Sequence, residues 1–276
     1  MKKNSPLVDQ YKKEGFVIIP NVLDEDLMAE ARDHVTWLQE KNPGLRPEQL
    51  GHFLMTQDAF WVRLISDDRL LDVAEKFIGP DIGLFASHYI AKRPHDGKAV
   101  PWHQDGSYWP LEPMEVITFW LALDKCDEEN GCMKVMPGTQ NKKLLSKEDY
   151  VTQNDEQLFD MAMDASSIDE SAAVNIALNP GDVEIHHPNV IHGSHANTSP
   201  RWRRGLTIRY IPTSTRIMED KPHPAAFILR GKGHQNGNGW NPLPGYQAST
   251  SMSFKTQVNW NEQAANKNEI YKAFYR

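Results

Sequence analysis

The chain reads as one α+β domain, with helices first and a double-sheet β core after them. Three observations carry that reading. Helical apolar periodicity is confined to the first eighty residues, and from Ile82 onward the chain breaks into short β-like runs between turn signals. No Pro/Gly/Ser linker or composition shift divides its 276 residues. Helices followed by many short strands define the α+β class. Residues 1–80 are therefore expected to hold a strand and helices, 81–212 the β core with an insertion at 141–178, and 213–276 a loop-rich C-terminal extension.

In chain order, Phe16-Val17-Ile18-Ile19 ahead of Pro20 is a short apolar strand. Asp24 is a helix N-cap before Leu27, Met28, Ala31, Val35 and Leu38, which share one helical face. A second helical stretch, with Leu70, Leu71, Val73, Ala74 and Phe77, stops at Gly79-Pro80. The strand-like runs are 83–91, 116–123, 133–136, 181–186 and 203–212. Residues 141–178 are acidic and weakly periodic, as an insertion between core strands would be. Residues 231–250 carry Gly and Pro at irregular intervals and read as loop, the kind of segment that often forms lids.

Net charge is −7, which leaves no broad basic surface for nucleic acid or an anionic membrane. The opening Met1-Lys2-Lys3-Asn4-Ser5-Pro6 runs into a polar amphipathic segment, and no apolar run approaches bilayer-spanning length. Two cysteines, Cys126 and Cys132, are too few for a disulfide framework. A cytoplasmic protein with free thiols and a small-molecule substrate is expected.

The chemistry is concentrated at Trp102-His103-Gln104-Asp105, with His192 and Arg203 downstream. Residues two apart on a strand share a face about 6 to 7 Å apart, so His103 and Asp105 can meet at one ion while Gln104 points away. Among 11 histidines about one His-x-Asp pair arises by chance, so the pair alone does not specify a site. Two imidazoles and one carboxylate are nonetheless the set that holds non-haem Fe(II) on one face and leaves the other open.

Context narrows the choice. The blocks around 100–109, Phe119-Trp120-Leu121-Ala122-Leu123-Asp124, Glu129-Asn130-Gly131-Cys132, Met136-Pro137-Gly138-Thr139, Pro180-Gly181-Asp182, Ile191-His192-Gly193-Ser194 and Asn197-Thr198-Ser199 follow in an order that resembles the phytanoyl-CoA dioxygenase family. Tyr11 to Phe16 is similar to the family's opening, and the resemblance spans about residues 8 to 212. It implies a double-stranded β-helix, a jelly-roll or cupin-like core with the N-terminal helices packed on its major sheet. It also implies Fe(II) held by His103, Asp105 and His192, with 2-oxoglutarate and O₂ as co-substrates.

Related halogenases replace the carboxylate ligand with a small residue, so Asp105 points to hydroxylation. The family's arginine for the distal carboxylate of 2-oxoglutarate falls eleven residues after His192, at Arg203, with Arg204 as runner-up. A planar, always-charged fork suits that carboxylate. Ser194, Trp120 and His88 match further co-substrate positions; the family's lysine contact has no clear equivalent, its nearest position being Met55. His186, His187 and His195 crowd the distal ligand and read as supporting or surface residues.

Late cations, foremost Arg209 with the strand parity of Arg203, suggest an anionic or zwitterionic substrate, with a small organophosphonate such as 2-aminoethylphosphonate in the lead. The end Lys272-Ala273-Phe274-Tyr275-Arg276 carries no peroxisomal tripeptide, which argues against a fatty-acyl substrate. Alternatives are a hydroxylase of an acyl-CoA or natural-product intermediate, a cupin-like isomerase or 2-oxoacid-independent dioxygenase, and a silent jelly-roll binding module.

Overall fold

A computed structural model describes residues 5–154, 156–234 and 236–274. The extreme termini read above, 1–4 and 275–276, lie outside the described residues.

The chain opens with helix α1 (Pro6–Glu14), β1 (Phe16–Ile19), α2 (Glu25–Lys41) and the two-residue β2 (Leu50–Gly51). The Asp24 side chain accepts from the Leu27 amide at 2.9 Å, so this cap closes α2 as its sequence implies. Helices α3 (Ala59–Ile65) and α4 (Asp68–Ile78) follow, α4 ending at Gly79 with φ of 86°. Then come β3 (Ile82–Tyr89), β4 (Val100–His103), β5 (Leu111–Glu112), β6 (Ile117–Ala122) and β7 (Met133–Val135). The insertion carries β8 (Val151–Thr152) and β9 (Met161–Ala162) before β10 (Val174–Ile176) returns to the core. The chain closes with β11 (Val183–His186), β12 (His192–Ser194), β13 (Gly205–Pro212), β14 (Arg216–Ile217), β15 (Phe227–Arg230) and α5 (Gln257–Phe274).

Two antiparallel sheets face each other. The major sheet runs β1-β11-β6-β13-β3-β15 with β2 also on β3, and the minor sheet runs β10-β7-β12-β4. Phe16, Trp120 and Ala122 of the major sheet pack with Met133, Val135 and Ile176 of the minor one, filling the space between. The other face of the major sheet is covered by Leu27, Met28, Ala31, Val35 and Leu38 of α2 together with α3 and α4. This is the α+β double-sheet core that the order of elements implies, arranged as the double-stranded β-helix that the family resemblance implies.

Two expectations need adjusting. Residues 213–256 are largely irregular, but the C-terminal extension also supplies core elements: Phe227–Arg230 extends the major sheet, and α5 buries Trp260, Ala264 and Tyr271 against the α2–α4 layer. The helix lacked a sequence signal because its apolar residues are sparse among Asn, Gln and Glu. The insertion also ends before 178, since Val174–Ile176 pairs with β7 as a minor-sheet strand. No described helix is long and apolar enough to cross a membrane.

Candidate metal centre and flanking cavities

His103 ends β4 and His192 begins β12, and the register places them directly opposite each other. Their ring centroids are 4.1 Å apart. Asp105 is not on the strand with His103, contrary to the alternation argument; it starts a 3₁₀ turn, Asp105–Tyr108, that folds back towards the ring. Gln104 does point away, bonding the backbone of Asn189 and Leu145. The ligating atoms of His103, Asp105 and His192 all lie within 4.8 Å of one another, and all three residues are buried.

Both rings are oriented through the nitrogen not facing the cluster. His103 Nδ1 is 2.8 Å from the Pro101 carbonyl and His192 Nδ1 is 3.1 Å from the Val190 carbonyl. Since a carbonyl only accepts, each Nδ1 carries the proton and each Nε2 offers its lone pair inward. Burial, then the neighbouring His103 and His186, holds the His192 imidazole well below the usual histidine range, in the neutral form a metal requires. Asp105 is held from the major sheet by Thr118 Oγ1 at 3.2 Å and His186 Nε2 at 3.4 Å. Burial would raise its carboxyl, but Arg209 and the bonds from His103 and His186 outweigh it, leaving Asp105 well below the usual carboxylate range. His186 in turn rests on Glu184 at 2.8 Å; burial opposes its charge, but Glu184 and Asp105 push it up to about 9. His195 is exposed and bonds Glu170 at 3.1 Å, a surface histidine as read.

An inner cavity beside the triad is lined by Trp120, Ser194, Arg203 and Thr207. Arg203 is 1 % exposed, with its guanidinium 5.2 Å from the Trp120 ring centroid and Nη2 3.1 Å from the Ile90 carbonyl. Its Nε is buried without a hydrogen-bond partner, and no carboxylate among the described residues lies within ion-pair distance of it. Such a cation is costly unless an anion joins it, typically by several kcal/mol. The distal carboxylate of a 2-oxoacid fits this requirement. Arg204, the runner-up, is instead committed to Asp124 on the opposite side, at 2.7 and 2.9 Å. Gly205 lets Trp120 approach, since a Cβ there would collide with the indole.

Lys92, which the sequence reading missed, is fully buried with Nζ 2.7 Å from Ser194 Oγ and a further bond to the His195 carbonyl. Met55, the nearest position considered for that contact, is in the helix-covered core. A buried lysine within one apolar run gives no periodicity signal, and only the bridge from Lys92 to Arg203 reveals its place.

An outer cavity of about 650 Å³ opens on the other side of Asp105. Arg209 lies between the two cavities and lines both, with Nη2 3.9 Å from Asp105 Oδ1 and its guanidinium 5.0 Å from the Trp109 ring centroid. His88 lines the outer cavity, 3.2 Å from Arg209 Nη1, and not the inner one with Trp120 and Arg203. Its expected co-substrate contact is therefore not what the geometry offers; at the β2 end of β3 it stands on the far side of Thr207, which bonds its backbone at 3.1 Å. His52 and His223 complete this wall and carried no sequence signal, because no spacing relates either to the triad. Phe159, from the insertion, lies edge-on to His103 at 4.9 Å and lines both cavities. Of the other late cations, Arg230 is spent on Asp68, Asp72 and Glu75 at the α4 surface.

Comparison with known proteins agrees with this geometry. The family model described as phytanoyl-CoA dioxygenase (PhyH) matches residues 11–205. Peroxisomal phytanoyl-CoA dioxygenase of Rattus norvegicus is 26% identical over 227 residues, covering 72% of this chain and 66% of its own length. L-proline trans-4-hydroxylase of Streptomyces griseoviridis is 25% identical over 252 residues, covering 81% of this chain and 92% of that protein. A Stutzerimonas stutzeri protein described as a "probable alpha-ketoglutarate-dependent hypophosphite dioxygenase" is 31% identical over 151 residues, covering 53% and 51% respectively.

Among solved structures, the non-heme monooxygenase ThoJ superposes with a TM-score of 0.73 at 21% identity, covering 96% of each chain. The epimerase SnoN, in complex with Fe3+, alpha ketoglutarate and nogalamycin RO, superposes with a TM-score of 0.64 at 21% identity over 84% of this chain and 95% of its own. With its fold, its His-Asp-His cluster and a family match over most of its length, this chain belongs to the phytanoyl-CoA dioxygenase family of non-haem iron, 2-oxoglutarate-dependent oxygenases.

Proposed function

We propose that this protein hydroxylates an unactivated C–H bond of a small anionic or zwitterionic metabolite, with His103, Asp105 and His192 as the iron ligands. The observation that carries this reading is the pair of buried arginines flanking the triad, Arg203 in the inner cavity and Arg209 at the boundary with the outer one. Arg203 has no carboxylate partner among the described residues, and Arg209 faces only Asp105, whose charge a bound metal would share, so an anion could be received on either side of one metal site.

Arg203 would pair with the distal carboxylate of 2-oxoglutarate, Ser194 would donate its hydroxyl to the same group, and Trp120 would wall the co-substrate in. Bound iron with 2-oxoglutarate and O₂ supplies the oxidising power that converts substrate C–H to C–OH, yielding succinate and CO₂. The chain's own contribution is placement and exclusion of water. His103 and His192 present lone pairs fixed by their backbone bonds, Thr118 and His186 hold the Asp105 carboxylate, and Phe159 closes the space above.

The lead substrate class is a small organophosphonate such as 2-aminoethylphosphonate. The outer cavity is lined by the Arg209 cation, by the histidines His52, His88 and His223 and by the carboxylates of Glu48 and Asp160, a mixed lining that suits a zwitterion. The relative described by its hypophosphite activity adds a precedent for a phosphorus oxyanion. Free, buried Cys126 and Cys132 accord with work in a reducing cytoplasm.

The test is anaerobic titration of Fe(II)-loaded protein with 2-oxoglutarate, followed by the weak visible charge-transfer band that chelation of iron by a 2-oxoacid produces. The band is expected in the native protein and is expected to fade in Arg203→Ala at moderate co-substrate concentration. No band in iron-replete native protein would move the reading to a 2-oxoacid-independent dioxygenase or isomerase.

A further inference from the structure

Four groups in the outer cavity have no part in holding iron or co-substrate: His52, His88, His223 and Arg209. They come from separate places, namely the turn after β2, β3, the loop between β14 and β15, and β13. The His52 ring centroid is 5.4 Å from that of His88 and 5.1 Å from that of His223. Arg209 Nη1 is 3.2 Å from His88 Nδ1 and 3.0 Å from Thr207 Oγ1. A guanidinium only donates, so His88 Nδ1 accepts and the role of His88 is to aim the arginine. His223 Nδ1 accepts from the Ala225 amide at 3.3 Å, which leaves its Nε2–H as a donor. His52 Nδ1 and Arg209 Nε are buried with no hydrogen-bond partner among the described residues. The carboxylate near Arg209 is Asp105, whose charge a bound metal would share.

We propose that Arg209, His52 and His223 form a receptor for the phosphorus oxyanion of a dianionic phosphonate substrate, a step that rests on the reading of this cavity as the substrate's. Binding of the dianion draws a proton from solvent onto the His52–His223 pair. Before binding, both imidazoles are neutral: burial, then His223 and Arg209, lowers His52 to about 4, and burial lowers His223 as well. His52 faces His88, Arg209, His223 and the Ser87 backbone; His223 faces His52, Phe85 and Glu219. The remaining acids of the wall are Glu48, already paired with Arg46, Asp160 and Asp105. A dianion set against this pair favours the charged imidazole, and proton uptake supplies the second positive charge that Arg209 alone lacks. A carboxylate, with one negative charge, is neutralised by Arg209 and needs no proton.

The experiment is calorimetric titration of methylphosphonate into the full-length protein loaded with Zn(II) and 2-oxoglutarate. It is run at about pH 8.5, where the ligand is a dianion and free histidine is neutral. Repeating it in two buffers of different ionisation enthalpy counts protons. The proposal expects uptake of roughly one proton per methylphosphonate bound, and none for acetate. It expects His52→Gln and His223→Gln each to weaken methylphosphonate roughly tenfold or more and to reduce the uptake, with 2-oxoglutarate binding unchanged as the check that each variant is folded.

Absence of saturable methylphosphonate binding, uptake that persists in both variants, or unaltered affinity in both would overturn it. The oxygenase reading fails separately, if native protein does not bind 2-oxoglutarate in the preceding titration. The methylphosphonate result is scored independently of that outcome.

Discussion

A histidine serves a metal well when its second nitrogen is already committed, because the ring then neither tilts nor changes tautomer. His103 and His192 each commit Nδ1 to the carbonyl two residues earlier, so strand geometry itself orients the two proposed ligands. Mn(II) is expected to raise the melting temperature of the native protein, and His103→Ala is expected to remove that rise and to abolish turnover. The metal-free variant is expected to melt close to metal-free native protein; retained succinate formation in it would refute the ligand assignment. Arg203 offers the complementary case. Removing one partner of a buried charged contact costs about 2 to 5 kcal/mol, so Arg203→Ala is expected to weaken 2-oxoglutarate by about a hundredfold with little change in metal affinity. A shift of less than threefold would place the distal carboxylate elsewhere. The clustering of His103, Asp105 and His192 and the place of Arg203 beside them could be anticipated from the ordered motif blocks that surround them, whereas the places of Lys92, His52 and His223 could not. Their neighbours are brought to them across strands and turns, at distances that no local spacing encodes.

The insertion is an element with a definite seat. Leu158 donates its amide to the Ala99 carbonyl and Met163 to that of Trp102, both at 2.9 Å, so its strands run along the outer edge of β4. Tyr150 Oη receives the Gln104 amide at 3.0 Å, and Phe159 lands over His103. The segment that carries His103 thus also anchors the insertion that sets Phe159 against it. Phe159→Ala is expected to leave iron binding unchanged but to admit water between the cavities. Measured together, succinate should then exceed hydroxylated product, where the native ratio is near one; a ratio unchanged in the variant would show that Phe159 is only packing. From sequence, this segment was visible as weakly periodic and acidic, but its last strand, Val174–Ile176, was not. Two of its three residues are exposed, so it lacks the apolar run that marked the other strands. The helix α5 escaped for a related reason: it stands on a few large residues such as Trp260 and Tyr271 rather than on a continuous apolar stripe.

Across the whole molecule, placing histidines around a buried cleft ties stability to pH. His52 and His88 are pushed down to about 4 and about 3, each by burial first and then by neighbouring charges that include Arg209. Their folded values lie below the unfolded one, so below about pH 6.5 the unfolded chain binds more protons and stability falls as pH falls. Each such group contributes a slope of about 1.4 kcal/mol per pH unit within its window. His186 works in the opposite direction: raised to about 9, it contributes fully below the unfolded histidine value and loses that contribution as pH rises through its folded one. Metal-free protein is therefore expected to be most stable near neutrality, with an acid limb to which the outer-cavity histidines and the buried His192 both contribute and an alkaline limb set by His186. The two limbs can be separated by denaturant unfolding across pH. His52→Gln is expected to flatten the acid limb by about one proton between roughly pH 6.5 and 4 while leaving the alkaline limb in place. An acid limb of unchanged slope in that variant would mean that His52 is protonated and paired in the folded protein, and the account of the outer cavity as a neutral cradle awaiting an anion would fall with it.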